Sequence, residues 1–177
     1  MGVGYAEDLV VSVALGADMF DCVYPTRTAR FGNAITRFGV LNLRHNSFAT
    51  DFRPVDTICT WPTCVPMSQG GIGASRAFLY HLACKETAGA HLLTLHNVHY
   101  QLDLMRQIRT AIVEDCFPSF IASFFFDLYG GNRKKYPEWA VGALRTVGVN
   151  LVPLDEGDLS HHENISFLKK SEEAELL

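Results

Sequence analysis

The sequence predicts an α/β fold in its first part, followed by a largely helical remainder. Three observations carry that reading. A helical pattern ends in glycine and feeds directly into a short apolar run closed by proline; a pair of short β-like runs follows about one tight turn; and the later chain repeats apolar residues at helical spacing.

The first element is a helix over Tyr5 to Gly16, "YAEDLVVSVALG", with acids in its first turn and glycine after its last. A strand is expected over Asp18 to Tyr24, "DMFDCVY", stopped by Pro25, and a helix feeding a buried strand is the rhythm of an α/β sheet or barrel. Ala34 to Leu43, "AITRFGVLNL", reads as a hairpin about "RFG". Asp51 to Gly73 is rich in Pro, Gly, Thr and Cys with little periodicity, so it should be loop, held by something other than a core, with metal the obvious candidate.

Helices are then expected over Ser75 to Lys85, Ala88 to Asp115, Pro118 to Tyr129 and Pro137 to Val147. Residues 155–177 are charged and read as a solvated, disordered tail or a frayed helix. There is no internal repeat.

Length and composition bound the function. A chain of 177 residues with 48% hydrophobic content is long enough for one domain with a real core, and complete multi-domain machinery is not expected. A net charge of -4 and a pI near 5.9 mean that any nucleic-acid contact must come from a local basic patch. Five cysteines without a secretory signal indicate a reducing compartment, and no apolar run approaches the roughly 20 residues of a membrane span, so a cytoplasmic protein without membrane insertion is expected.

The stretch "GADMFDCVYPTRTARFG", Gly16 to Gly32, concentrates the candidate chemistry. Strand side chains alternate faces, so Asp18 and Asp21 cannot form a dyad. Asp21, nearer the strand's C-terminal end, is either a nucleophile or base in a cleft or a strand-end residue capping a turn. Arg27 and Arg30 leave this strand three residues apart; they suit phosphates or base edges, or are solvated loop cations.

This stretch, with "MGVG" twenty residues upstream of Asp21, resembles the tRNA-guanine transglycosylase family, and "YPTRTARFG" is more similar to its eukaryotic queuine-inserting catalytic form than to the bacterial one. The resemblance runs from Met1 to about Asn150 and corresponds to the C-terminal portion of a family member. It implies the last part of a (β/α)8 TIM barrel over residues 1–58, with the active-site strand and hairpin, and a zinc-binding helical subdomain over residues 59–150. It also implies that Asp21 is the nucleophile that displaces the wobble guanine and forms a covalent ribosyl-aspartate, that Arg27 and Arg30 read the flanking anticodon bases, and that Met1 stacks on the substrate base.

The implied partners are a tRNA with a wobble guanine, queuine or a related 7-deazaguanine, and a paralogous non-catalytic subunit or a second copy. Association with mitochondria is implied too. The family's base-recognition half and its second aspartate lie outside this sequence, so the chain is expected to be inactive alone; the alternative is a non-catalytic module that binds tRNA or another subunit through the zinc region.

Cys59 and Cys64 in "CTWPTC", with His96 in a later helix, resemble the family's zinc motif, Cys-x-Cys-x-x-Cys with a downstream His, except that Trp61 stands at the middle cysteine. A closed tetrahedral site needs four donors and three remain. His99 on the same helical face, a water, an empty site plugged by Trp61, or an error in the sequence all account for the gap. "VPMSQGGIGA", Val65 to Ala74, is longer than the family's link to the "SRAFLYHL" helix and reads as a flexible insertion.

Overall fold

The computed structural model describes residues 1–151, so the expected tail over 155–177 lies outside the described residues. The element order is α1 (Ala6–Ala14), α2 (Tyr24–Arg30), β1 (Asn33–Thr36), β2 (Gly39–Asn42), α3 (Arg76–Lys85), α4 (Thr87–Val113), α5 (Phe117–Leu128) and α6 (Glu138–Thr146). Among the described residues the sheet is the antiparallel pair β1–β2 alone, in the register Ala34↔Leu41 and Ile35↔Val40.

Local chemistry explains the helix ends. Glu7 and Asp8 sit in the first turn of α1, where the positive end of the helix dipole favours them. At its other end Gly16 takes φ +98°, and Gly16 N–H and Ala17 N–H donate to the Val13 and Ser12 carbonyls, a Schellman closure that a side chain would strain. Ser75 caps α3 by accepting from the Phe78 N–H at 3.1 Å. The hairpin turns through Arg37–Phe38 into Gly39, whose φ of +107° favours glycine.

The expected strand over Asp18 to Tyr24 does not form. Asp18 to Cys22 carry no regular secondary structure and Tyr24 already opens α2. A strand needs a neighbour for its ladder, and what the chain offers this segment is a hydrogen bond from the Gly2 N–H to the Asp21 carbonyl at 2.6 Å. Pro25, read as a strand stop, is a helix starter in the first turn of α2, where its missing N–H costs nothing. Arg27 and Arg30 therefore lie on a helix, not in a loop.

Two apolar clusters share α4 as their spine. One joins Leu9 and Val10 of α1 to Leu104 and Ile108 of α4, Ile121 and Phe125 of α5 and Leu144 of α6. The other joins Ala29 of α2, Ala34 of β1, Leu43, Val55, Cys64 and Leu79 of α3 to Leu93 of α4. The 27 residues of α4 make it about 40 Å long, enough to serve both. No described helix is long and apolar enough to cross a membrane.

Candidate metal centre and nucleophile segment

The loop after the hairpin is held at two points. At its start Asp51 accepts from Arg53 Nε at 2.9 Å and Nη2 at 2.7 Å and from Arg76 Nη1 at 3.3 Å, while Arg76 also donates to the Pro54 and Val55 carbonyls. The Arg53 hydrogen bond, followed by the charges of Arg53 and Arg76, holds the Asp51 carboxyl well below the usual carboxylate range. Further on, the loop delivers Cys59 and Cys64 to one face of α4.

There the sulfurs of Cys59 and Cys64 lie 3.6 and 3.4 Å from His96 Nδ1, and the three donor atoms fall within 4.8 Å of one another. A tetrahedral ion with metal–sulfur and metal–nitrogen bonds of ordinary length has a sulfur-to-nitrogen edge of about 3.6 Å. Both sulfur-to-nitrogen distances match that edge, so the three side chains form a group that could hold a metal ion.

The imidazole is oriented for the task. His96 is fully buried, and its Nε2 lies 2.9 Å from the Ile35 carbonyl of β1. A carbonyl only accepts, so Nε2 carries the proton and Nδ1 presents its lone pair to the sulfurs, the arrangement by which an outer partner fixes a metal-binding histidine. The hydrogen bond from Cys64 is the leading cause that lowers the Cys59 thiol, against burial. The Cys64 thiol is pushed up by the bond it gives Cys59, by burial and by the neighbouring negative charge. Metal binding requires both cysteines as thiolates, so it releases their protons.

His99 does not join the group. Its ring lies against the Trp61 indole with centroids 5.1 Å apart, and its Nε2 is 3.3 Å from Thr60 Oγ1. The long link over 65–74 is tied at its neck, Ile72 N–H to the Pro62 carbonyl and Ala74 N–H to the Thr63 carbonyl, so the excursion leaves Cys64 in place.

The second candidate region is the N-terminal segment and the start of α2. Met1, 95% exposed, is brought to Asp21 by the Gly2–Asp21 backbone bond. Asp21, Arg27 and Arg30 are all exposed, the two arginines one helical turn apart. Gly4 passes so close that a Cβ there would meet Tyr24 Cβ at 2.6 Å and Cys22 Sγ at 2.8 Å.

Two residues that sequence reasoning passed over build this region. Buried Asn97 accepts from the Ile35 N–H at 2.8 Å and donates to the Pro25 and Asn33 carbonyls at 3.1 and 3.0 Å, tying α2 and β1 to α4. Gln101, one turn on, donates to the Gly4 carbonyl and lies 3.9 Å from Cys22 Sγ through its Oε1. Polar amides spaced i, i+4 beside His96 inside a long helix were the available signal.

The family described as queuine tRNA-ribosyltransferase matches residues 1–129, most of the chain. The chain belongs to that family. It is 57% identical over 152 residues to the queuine tRNA-ribosyltransferase catalytic subunit of Schizosaccharomyces pombe, covering 86% of this chain and 38% of that protein. The catalytic subunit of Caenorhabditis elegans is 40% identical over 164 residues, 85% of this chain and 39% of the relative. The queuine tRNA-ribosyltransferase of Acidovorax ebreus is 49% identical over 131 residues, 70% and 34% respectively. This member of the queuine tRNA-ribosyltransferase family thus spans about two fifths or less of the length of these curated relatives.

Proposed function

We propose that this chain carries the nucleophile and tRNA-reading portion of a tRNA-guanine transglycosylase, the enzyme that exchanges the wobble guanine of tRNA for queuine. The observation that supports it most is the Gly2–Asp21 hydrogen bond, which joins the proposed base-stacking Met1 to the proposed nucleophile, with exposed Arg27 and Arg30 on the helix that follows.

In this reading the Asp21 carboxylate attacks the anomeric carbon of the wobble nucleotide. The glycosidic carbon–nitrogen bond breaks, guanine leaves with its electron pair and a proton, and a ribosyl ester of Asp21 remains. A nitrogen of queuine, or of a related 7-deazaguanine, then displaces the carboxylate with net retention. Arg27 and Arg30 hold the anticodon bases on either side, their planar guanidinium groups matched to base edges and phosphates. The base-recognition half and the general base come from the further length that the relatives possess, and with it Asp18 to Cys22 becomes a strand of a TIM barrel.

The ion at Cys59, Cys64 and His96 is zinc, since thiolates with an imidazole suit it best. Zinc supplies a structural crosslink there, binding the loop to α4 and, through His96, to β1. The chain acts in the cytoplasm, on tRNA, together with a paralogous subunit or a second copy.

The test is adduct trapping in the full-length protein that carries this segment. Asp21→Asn should abolish the covalent tRNA complex on a denaturing gel while leaving tRNA binding intact, and Arg27→Ala should weaken binding by about 1–3 kcal/mol. An adduct that survives Asp21→Asn would refute the assignment.

A further inference from the structure

Residues 130–151 carry four cations, Arg133, Lys134, Lys135 and Arg145, against one acid, Glu138. In a chain whose net charge is -4 this is a local excess of positive charge, and it lies beyond residues 1–129, the span that the family matches. The fold holds these cations in place. Asn132 Oδ1 accepts from the Lys134 N–H at 3.2 Å and the Arg133 carbonyl from the Tyr136 N–H at 3.1 Å, which fixes a 3-10 turn over Arg133–Lys135. Tyr136 seats that turn on the core, its ring 5.6 Å from Phe125 and 5.4 Å from Tyr129. Arg145 arrives from the last turn of α6, and with Arg133 it lines a cleft of about 330 Å³ together with Tyr136, Glu138, Val141 and Leu151. Lys134, Lys135 and Arg145 are exposed.

The apolar cluster that seats Tyr129 and Tyr136 also takes Val3 and Phe20, so the basic surface and the segment joining Met1 to Asp21 are built on one core. Burial raises the phenols of Tyr24 and Tyr129, and the Glu7 carboxylate adds to both, which puts the first turn of α1 within charge range of the start of α2 and the end of α5. From this arrangement we infer that Arg133, Lys134, Lys135 and Arg145 form a second RNA-contact surface, which takes phosphates of the tRNA backbone outside the nucleotides assigned to Arg27 and Arg30. The inference rests on the reading of this chain as part of a tRNA-modifying enzyme. Two guanidinium groups lining one cleft suit a phosphate, and the adjacent lysines act as point charges for its neighbours. Such a contact is indifferent to base sequence and contributes affinity and orientation.

The experiment is fluorescence anisotropy of the full chain with a labelled tRNA transcript across a series of salt concentrations. Each phosphate contact contributes about 0.7–0.9 to the steepness of log Kd against log salt. Lys134→Gln with Lys135→Gln should therefore reduce that slope by about 1.4–1.8, and Arg145→Gln by about 0.7–0.9, whatever the base sequence of the tRNA. Lys134→Arg with Lys135→Arg should keep the parent slope, and Glu138→Gln should tighten binding. A slope that ignores these substitutions in variants whose circular dichroism matches the parent would overturn the inference. So would polyglutamate binding the parent as tightly as tRNA, which would make the surface a dock for an acidic protein. Adduct trapping at Asp21 fails separately: an adduct-forming full-length protein whose salt slope ignores these four residues loses only the basic surface, and one that traps no adduct but shows the expected slopes loses only the nucleophile.

Discussion

His96 Nε2 donates to the Ile35 carbonyl at 2.9 Å, so a single imidazole ties the hairpin to α4 while its Nδ1 faces the two cysteine sulfurs. The hairpin anchor and a candidate metal donor therefore sit on one ring. His96→Ala should lower stability by about 3 kcal/mol, combining a lost buried hydrogen bond with a cavity. A chelator should lower the melting temperature of the parent and leave that of the variant unchanged, as differential scanning calorimetry with and without EDTA would show.

Asn97→Ala removes an acceptor and two donated bonds at once, stranding the buried Ile35 N–H and Pro25 carbonyl and the half-buried Asn33 carbonyl. A loss of about 3 kcal/mol or more is expected. Urea denaturation would measure it, and Asn97→Asp should not rescue, because it keeps the acceptor but forfeits both donors and buries a charge.

Gly4→Ala tests the link between the N-terminal segment and Asp21. Its Cβ would overlap Tyr24 Cβ and Cys22 Sγ, both at less than 3 Å, so the segment must lift away. Overpacking of this kind costs about 1–3 kcal/mol. Hydrogen exchange at the Gly2 amide, protected in the parent by the Asp21 carbonyl, should accelerate in the variant.

Acid should loosen the loop before the metal site through Asp51. Its folded-state pKa lies below the ordinary 3.8, with the Arg53 hydrogen bond the leading cause and Arg76 contributing. The stability it lends is complete above the ordinary carboxylate value and is lost as pH falls from there toward the depressed one. Arg53 is largely exposed, so solvent screening keeps this contribution small. Asp51→Asn should flatten the decline in melting temperature between about pH 5 and pH 2, and an unchanged slope would count against the clamp.

Much of the local structure was legible because it is written in short-range chemistry. Ser75 and Gly16 marked helix ends, "RFG" marked the hairpin turn, and helical spacing located the four later helices to within a residue or two. Cys59, Cys64 and His96 were legible as a group only through a motif, since no periodicity joins residues so far apart in sequence; the fold brings their donor atoms together.

The segment from Asp18 to Cys22 went the other way. Its apolar pattern suits a strand, but strand pairing is a tertiary event, and without a neighbouring strand the segment stays irregular and Pro25 falls in the first turn of a helix. Asn97 and Gln101 were invisible for a related reason: a polar amide on a helix means nothing until the backbone groups it will satisfy are placed beside it. Sequence by itself determined where α1, α3 to α6 and the hairpin turn fall and which residue types are available for chemistry, because caps, turns and periodicity act over a few residues. Only the tertiary structure decided that α4 would bind the hairpin, the loop and the N-terminal segment through His96, Asn97 and Gln101, because those contacts depend on partners drawn from 32 to 97 residues away.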